Sequence, residues 1–144
     1  MFEIGQINQL IMRITAIVNY AKDIHYTVHG EAFFGKHLFA DKLDSNGNEY
    51  LDLLKEVCVL GRGYQTLPSE DYLKGAIEYL PALDVDDVKN FENIKALIKE
   101  TLVHIEALED LTRGDENLIG AIAQDLQQNL GLLNLQVNDK YDTE

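Results

Sequence analysis

Apolar residues recur along this chain at alternating steps of three and four, the spacing of one face of an α-helix. The first stripe contains Ile4, Ile7, Ile11, Ile14, Val18, Ala21, His25 and Val28. Similar stripes run from Phe33 to Val57, from Val88 to Leu108 and from Leu118 to Leu133. The pattern predicts long helices over about 4–29, 32–60, 85–112 and 115–137, followed by a polar tail over 138–144.

The segment between the second and third long helices has a different character. It contains Pro68 and Pro81, the only prolines of the chain, and we predict a short helix over about 69–78 between them. Four long helices with one long connection make a four-helix bundle with a crossover, which is the ferritin-like arrangement. We therefore expect residues 1–144 to form a single all-α domain with a short helix in the crossover.

The second predicted helix has a weak point at residues 45–48, which read SNGN. Asn-Gly is a turn signal, and a glycine inside a helix costs about 1 kcal/mol relative to alanine. We expect one helix with a bend or fraying at this position.

Charge and composition exclude several classes of function. The chain has 25 acidic and 12 basic residues, a net charge of −13, and its basic residues form no patch. Such a surface repels nucleic acid and attracts metal cations. We expect no signal peptide, because the N-terminal stretch lacks a basic region and a small-residue cleavage site, and no apolar run approaches the length of a membrane span, about 20 residues. Cys58 is the single cysteine, so we expect a buried core residue and a cytoplasmic location.

Five residues suggest a metal site: His25, His37, Asp41, Asp52 and Glu56. Imidazole and carboxylate groups are ligands for non-haem iron, and zinc takes the same set. Within each of the pairs His37 with Asp41 and Asp52 with Glu56 the residues are four apart, so each pair shares a helix face. His25 lies on the apolar stripe, where a hydrogen-bonded core histidine is the alternative interpretation.

The two pairs cannot meet along one continuous helix. Asp52 follows His37 by fifteen residues, a separation of about 22 Å, whereas ligands must lie within about 2–2.5 Å of their ion. Either SNGN folds the helix back, or the second pair serves a neighbouring subunit. Two-fold pairing of antiparallel second helices would create two equivalent sites, each with His25, His37 and Asp41 from one chain and Asp52 and Glu56 from the other.

The chain resembles the Dps family, the mini-ferritins. The family pattern is His, eleven residues, His, three residues, Asp, ten residues, Asp, three residues, Glu, and it is present here without a gap as His25, His37, Asp41, Asp52 and Glu56. HYTVHG stands for the family's H-W-N-V-x-G, and FFGKH matches its F-F-x-x-H. GDENLIGAIAQDLQ is similar to the start of its fourth helix, and the resemblance covers roughly residues 5–137.

The resemblance implies a dodecameric shell of tetrahedral symmetry with ferroxidase sites between subunits. Fe(II) would be oxidised there, preferentially by hydrogen peroxide, and ferric mineral would collect inside. His25, His37 and Asp41 would bind iron from one chain, and Asp52 and Glu56 from the other, with Glu56 bridging to a second iron or water. The alternative is a ferritin-like shell or bundle with a structural or metal-binding but non-catalytic role, its ligands holding zinc or no metal.

Three further residues bear on the resemblance. Tyr26 stands where the family commonly has Trp, either as a radical-quenching substitute or as a core residue. Asp115 and Asp125 fall near the acids of the family's three-fold pores, although Asp115 also suits the N-cap of the fourth helix and Asp125 an ordinary helix surface. The family's DNA binders carry a Lys/Arg-rich arm that this N-terminus lacks, so we predict no direct DNA binding.

Overall fold

The computed structural model describes residues 1–30 and 32–138, and in this part of the chain every regular element is helical. The predicted all-α class is therefore confirmed there, whereas the expected tail lies outside the described residues from position 139 onward. The elements are α1 (Ile4–Thr27), α2 (Phe33–Leu53), α3 (Ser69–Ile77), α4 (Asp87–Glu106) and α5 (Arg113–Asn138). None of the helices in the described ranges has the length and apolar character needed to cross a lipid bilayer.

The helix α1 lies at the centre of the packing. It contacts α2, α3 and α4, while α5 packs mainly on α4. Its predicted stripe is the core face, since Ile7, Ile11, Ile14, Val18 and Ala21 are all buried. Full burial of an aliphatic side chain contributes about 1.5–3 kcal/mol. Burial of the apolar stripes therefore stabilises a helical bundle. In sequence order, the short helix α3 comes between α2 and α4.

The SNGN stretch is part of α2, and the fraying expected there is absent because all four residues are α-helical. Gly47 is buried at the contact with α1, where an added Cβ would overlap the Cγ2 of Val18. Asn48 donates to the backbone carbonyl of Asp44 at 3.0 Å and to its carboxylate at 2.8 Å. The glycine weakens the isolated helix but permits close packing of α2 against α1. The stabilisation from this tertiary contact outweighs the low helix propensity of glycine.

We expect the substitution Gly47→Ala to lower the free energy of unfolding by roughly 1–2 kcal/mol. The new methyl group overpacks against Val18, whose β-branched side chain is stiff in a helix, and this cost exceeds the gain of about 1 kcal/mol in helix propensity. Urea unfolding measures the change. Gly120→Ala is the matched control, because a Cβ there meets open space in α5 and should stabilise the protein slightly. Stabilisation by both substitutions would contradict the packing argument.

The irregularity of the second helix lies beyond α2. Residues Leu54–Val59 form a π-helical segment and Leu60–Arg62 a 3-10 turn, which ends at Gly63 with a φ of 85°. Within this segment the neighbouring residues Cys58 and Val59 are both completely buried. The buried position predicted for Cys58 is confirmed, and burial, with a smaller effect of Asp115, raises the pKa of its thiol to about 12. This thiol is consequently unreactive near neutral pH.

The third long helix is shorter than predicted, since α4 ends at Glu106 rather than near residue 112. Its start is confirmed: the Asp86 carboxylate caps it by accepting from the backbone N–H of Val88 at 3.0 Å. Beyond Glu106, Leu108 and Leu111 still pack against the core from the connecting segment. These leucines continue the apolar spacing after the helix has ended, which explains the wrong boundary.

The last helix begins at Arg113, and Asp115 is not its N-cap. Thr112 holds that position: its hydroxyl accepts from the backbone N–H of Asp115 at 3.1 Å, and the Asp115 carboxylate accepts from the backbone N–H of Thr112 at 3.2 Å. This reciprocal pair is a capping box. The sequence expectation was wrong because it took the third residue of the helix for its cap.

Candidate metal centre

The loop between α1 and α2 brings His25 and His37 together. Helix α1 ends at Thr27, two residues before the predicted end, and the chain then reverses with left-handed conformations at Gly30 and Ala32. The two imidazole rings lie with their centroids 3.7 Å apart and their planes inclined by 32°. Two of the five predicted ligands thus meet within one chain.

The hydrogen bonding of His37 orients its ring and selects its tautomer. Its Nδ1 lies 3.0 Å from the backbone carbonyl oxygen of His25. A carbonyl only accepts, so Nδ1 carries a proton, and in the neutral imidazole the lone pair is then on Nε2. Orientation of an imidazole by a carbonyl on its other nitrogen is typical of metal-binding histidines.

His25 contributes an unsatisfied polar atom to the same place. Its Nδ1 is buried, and within the described residues it has no hydrogen-bond partner. A buried polar atom without a partner costs about 1–3 kcal/mol. At this nitrogen, His25 therefore does not match the alternative interpretation of a hydrogen-bonded core histidine.

Tyr26 lies beside the pair, with its ring edge-on to that of His25 at a centroid distance of 5.0 Å. The side chain is 82% exposed, so the interpretation of Tyr26 as a core-packing residue is wrong for the isolated chain. A phenol in contact with a candidate ligand stays compatible with the radical-quenching role.

Exposed apolar side chains continue along the start of α2. The Phe33 ring lies 5.3 Å from that of His37, and Phe34 and Leu38 are 77% and 65% exposed. Exposed large apolar groups that form one cluster are typical of an interaction surface.

The three carboxylates predicted as ligands, Asp41, Asp52 and Glu56, are all exposed, and none of them completes a site with the histidine pair. Asp41 is exposed one turn beyond His37, and Asp52 and Glu56 are exposed at the opposite end of the second helix. Because α2 is continuous from Phe33 to Leu53, the separation of about 22 Å stands and the helix does not fold back. Among the residues that the structure describes, no three His, Cys, Asp or Glu side chains lie close enough to share an ion.

Asp87 supports the loop between the two histidines, a role that the sequence did not reveal. Its buried carboxylate accepts from the backbone N–H of His29 at 3.0 Å and from Lys36 Nζ at 3.2 Å, and it lies 3.3 Å from the His29 ring. This attaches both sides of the loop to the start of α4. An acid in the first turn of a helix was the only local signal, and it suggested helix stabilisation alone.

The two candidate pore acids are both engaged inside the chain. Asp115 is 1% exposed and paired with Arg62 at 2.9 Å. Asp125 is half-buried between α2 and α5, where it accepts from the side-chain amides of Asn46 at 3.4 Å and Asn129 at 3.3 Å. Burial, followed by hydrogen bonding to Asp125, raises the pKa of Tyr50. Asp115 is therefore committed to Arg62, whereas Asp125 is partly buried and hydrogen-bonded rather than ordinary helix surface.

Comparison with known proteins adds nothing to these residues. No protein-family model matches the chain, and no curated protein matches it significantly. The evidence for a metal centre is therefore the stacked histidine pair and its hydrogen bonding, together with the exposed carboxylates of Asp41 and Asp52 on α2 and of Glu56 in the π-helical segment that follows.

Proposed function

We propose that this chain is a Dps-like ferroxidase and iron-storage protein with a ferritin-like fold. It oxidises Fe(II), with hydrogen peroxide as the oxidant, at sites shared by two subunits, and it stores the ferric product inside a dodecameric shell. The observation that carries the proposal is the His25–His37 pair, in which His37 presents a free Nε2 lone pair. The helical architecture, with a short helix between the second and third long ones, is compatible with that fold.

An exposed stripe along the second helix supports a shared site. Its members follow each other at steps of three and four: Phe34, Leu38, Asp41, Ser45, Asn48, Asp52 and Glu56, all of them exposed. This is the spacing of a helix that pairs with another helix. The apolar end of the stripe lies beside the histidine pair, so a second copy would cover the exposed aromatic groups and complete the site at once.

The spacing also defines a pairing register. In an antiparallel pair that places His37 opposite Glu56, Asp41 stands opposite Asp52, because both pairs have their midpoint between residues 46 and 47. The same register places Ser45 opposite Asn48, next to the two-fold axis. Small polar side chains at that position permit close approach of the helices, and each half-site faces its complement.

The ligand chemistry fits iron as a substrate. Neutral imidazoles and carboxylates bind Fe(II), and the carboxylate charge stabilises the Fe(III) product. Two Fe(II) ions supply the two electrons that reduce one hydrogen peroxide, with two protons, to two waters, and no hydroxyl radical is released. The net charge of −13 draws cations towards the surface. Zinc takes the same ligands and is expected to compete.

The decisive assay mixes Fe(II) and hydrogen peroxide with the purified protein and follows the ferric absorbance. We expect the double variant His25→Ala, Asp52→Ala to oxidise Fe(II) at least about 100-fold more slowly, because both half-sites lose a ligand. Asp71→Ala, an exposed carboxylate on α3, is the control and should retain full activity. Equal oxidation by the double variant would favour the alternative of a non-catalytic, metal-holding protein.

A further inference from the structure

Leu60 is an exposed apolar side chain just beyond the π-helical segment, and the candidate metal centre does not include it. It is 55% exposed, whereas its neighbours Cys58 and Val59 are completely buried. Gly61, which follows it, is exposed and has no side chain that could cover it. A single exposed leucine is ordinary protein surface. Its position relative to the exposed stripe of α2 therefore decides whether it has a role.

The π-helical segment determines the face on which Leu60 lies. The exposed stripe of α2 advances by alternating steps of four and three, and the same alternation beyond Asp52 would give positions 55 and 59. The exposed residues are instead Glu56 and Leu60, while Val59 is buried. A π-helical turn contains more residues than an α-helical turn, so the segment Leu54–Val59 displaces the stripe by one residue. Leu60 therefore continues the exposed stripe of α2.

The pairing register of the proposed metal site places Leu60 opposite Phe34 of a second chain. The midpoint of these two positions is residue 47, half a residue, or about 0.75 Å, from the midpoint of the ligand pairs. Phe34 is 77% exposed, so it has a large apolar surface to contribute. One register thus joins ligands with ligands and apolar groups with apolar groups. Two-fold symmetry repeats the apolar contact at both ends of the paired helices.

Phe34 is connected to the histidine pair by a series of ring contacts. Its ring packs edge-on to that of Phe33 at a centroid distance of 5.4 Å, and the Phe33 ring lies 5.3 Å from that of His37. A leucine packed on Phe34 would hold these aromatic rings in place and exclude water from this side of the candidate site. Closure of the site would then depend on a residue that is not itself a ligand.

We propose that Leu60 is the apolar anchor between two copies of this chain and packs against Phe34 of the partner subunit at each end of the paired helices. The inference rests on the proposed function, because it uses the register that completes the metal site. It adds an attachment that needs no metal, since burial of two leucine–phenylalanine contacts favours pairing of the metal-free chains. The two half-sites are therefore held together before iron binds.

Cross-linking of the metal-free protein tests the contact directly. The double variant Phe34→Cys, Leu60→Cys is treated, in the presence of a chelator, with a bis-maleimide whose span matches a helix separation of about 8–10 Å. We expect a covalent dimer on a denaturing gel. Each single variant should give none, because two copies of the same position lie about 39 Å apart along the paired helices. Cys58 is buried and unreactive, so it does not interfere.

Two outcomes of this experiment would overturn the proposal. If the double variant gives no dimer, Leu60 does not face Phe34 of a second copy and is either free or covered by another protein. If the single variants give the same yield of dimer as the double variant, the cross-links come from collisions or from a different pairing.

Light scattering over a dilution series measures how much the contact contributes. Leu60→Ser should raise the protein concentration at which the assembly dissociates at least about 100-fold, because each two-fold pair loses two contacts worth about tenfold each. Phe34→Ser should have an effect of the same size, which guards against a folding defect in the first variant. Leu132→Ser, which removes a 43% exposed leucine from α5, is the matched control and should change nothing. Equal weakening by Leu132→Ser would contradict a specific anchor.

Failure of this inference can be told apart from failure of the proposed function. A covalent dimer from the double variant, together with no Fe(II) oxidation by the unmodified protein, would overturn the ferroxidase activity and retain the anchor. Fe(II) oxidation by the unmodified protein without cross-linking of the double variant would retain the activity and overturn the anchor.

Discussion

Mixed assemblies of His37→Ala and Glu56→Ala chains are expected to recover about a quarter of the Fe(II) oxidation that each variant loses on its own. Each variant alone should be at least about 100-fold slower than the original protein, because every shared site lacks one ligand. The recovery follows from the two-fold geometry. In a mixed pair, one site collects both substitutions and the other collects neither, so one intact site returns.

The expected fraction comes from random pairing. About half of the pairs contain one chain of each kind, and one of the two sites in each such pair is intact. The assay unfolds and refolds the two variants together, then measures Fe(II) oxidation by hydrogen peroxide against refolded single variants. A site built within one chain would show no recovery, and that outcome would contradict the shared geometry.

A second mixture serves as the control. His37→Ala and Asp41→Ala affect the same half-site, so both sites of a mixed pair stay defective and no activity should return. Recovery in this mixture would show that exchange between chains restores activity by some other route.

Light scattering on the same samples gives the assembly mass, for which a dodecamer is expected. A monomer or dimer would contradict storage.

Replacement of Arg62 by Met is expected to lower the free energy of unfolding by about 3–5 kcal/mol. The guanidinium Nε donates to the Asp115 carboxylate at 2.9 Å, and a second nitrogen donates to the Asp110 carbonyl at 2.6 Å. The same group lies 3.8 Å from the Phe2 ring centroid. The substitution leaves the Asp115 carboxylate buried, with 1% exposure, and without its cation.

Urea unfolding of three proteins separates the causes. Arg113→Met removes an exposed arginine and should change stability by less than about 0.5 kcal/mol. The double variant Arg62→Met, Asp115→Asn should recover part of the loss, since the neutral amide still accepts from the backbone N–H of Thr112. A double variant as unstable as Arg62→Met would show that the unpaired carboxylate is not the cause.

The single variant Asp115→Asn tests the pore role of Asp115. An acid committed to Arg62 and to the cap of α5 should lower stability when it is replaced by Asn. A pore-lining acid should instead slow iron uptake while stability stays unchanged. The burial of Asp115 favours the first outcome.

Much of the fold could be predicted from local patterns. The apolar stripe of α1 is the core face and Cys58 is buried, as expected. The start of α4 was expected near residue 85, where Asp84 and Asp86 are both suitable N-caps, and the structure shows that Asp86 is the cap. These features depend on residues within one or two turns of each other, which the helical period relates directly. The end of α4 could not be predicted in this way, because Leu108 belongs to the same apolar pattern although it lies outside the helix.

The sequence by itself singled out the candidate residues, because the spacing of His37 with Asp41 and of Asp52 with Glu56 is a local pattern along the chain, whereas only the structure shows that Glu56 lies in the π-helical segment beyond α2. Only the tertiary structure decided whether that helix continues, through the close packing of Gly47 against α1. It also decided that His25 and His37 stack, and that Asp115 is paired with a residue far away in the chain. Helix periodicity is local and can be read along the chain, whereas the partner of a polar group depends on which distant backbone segments approach it.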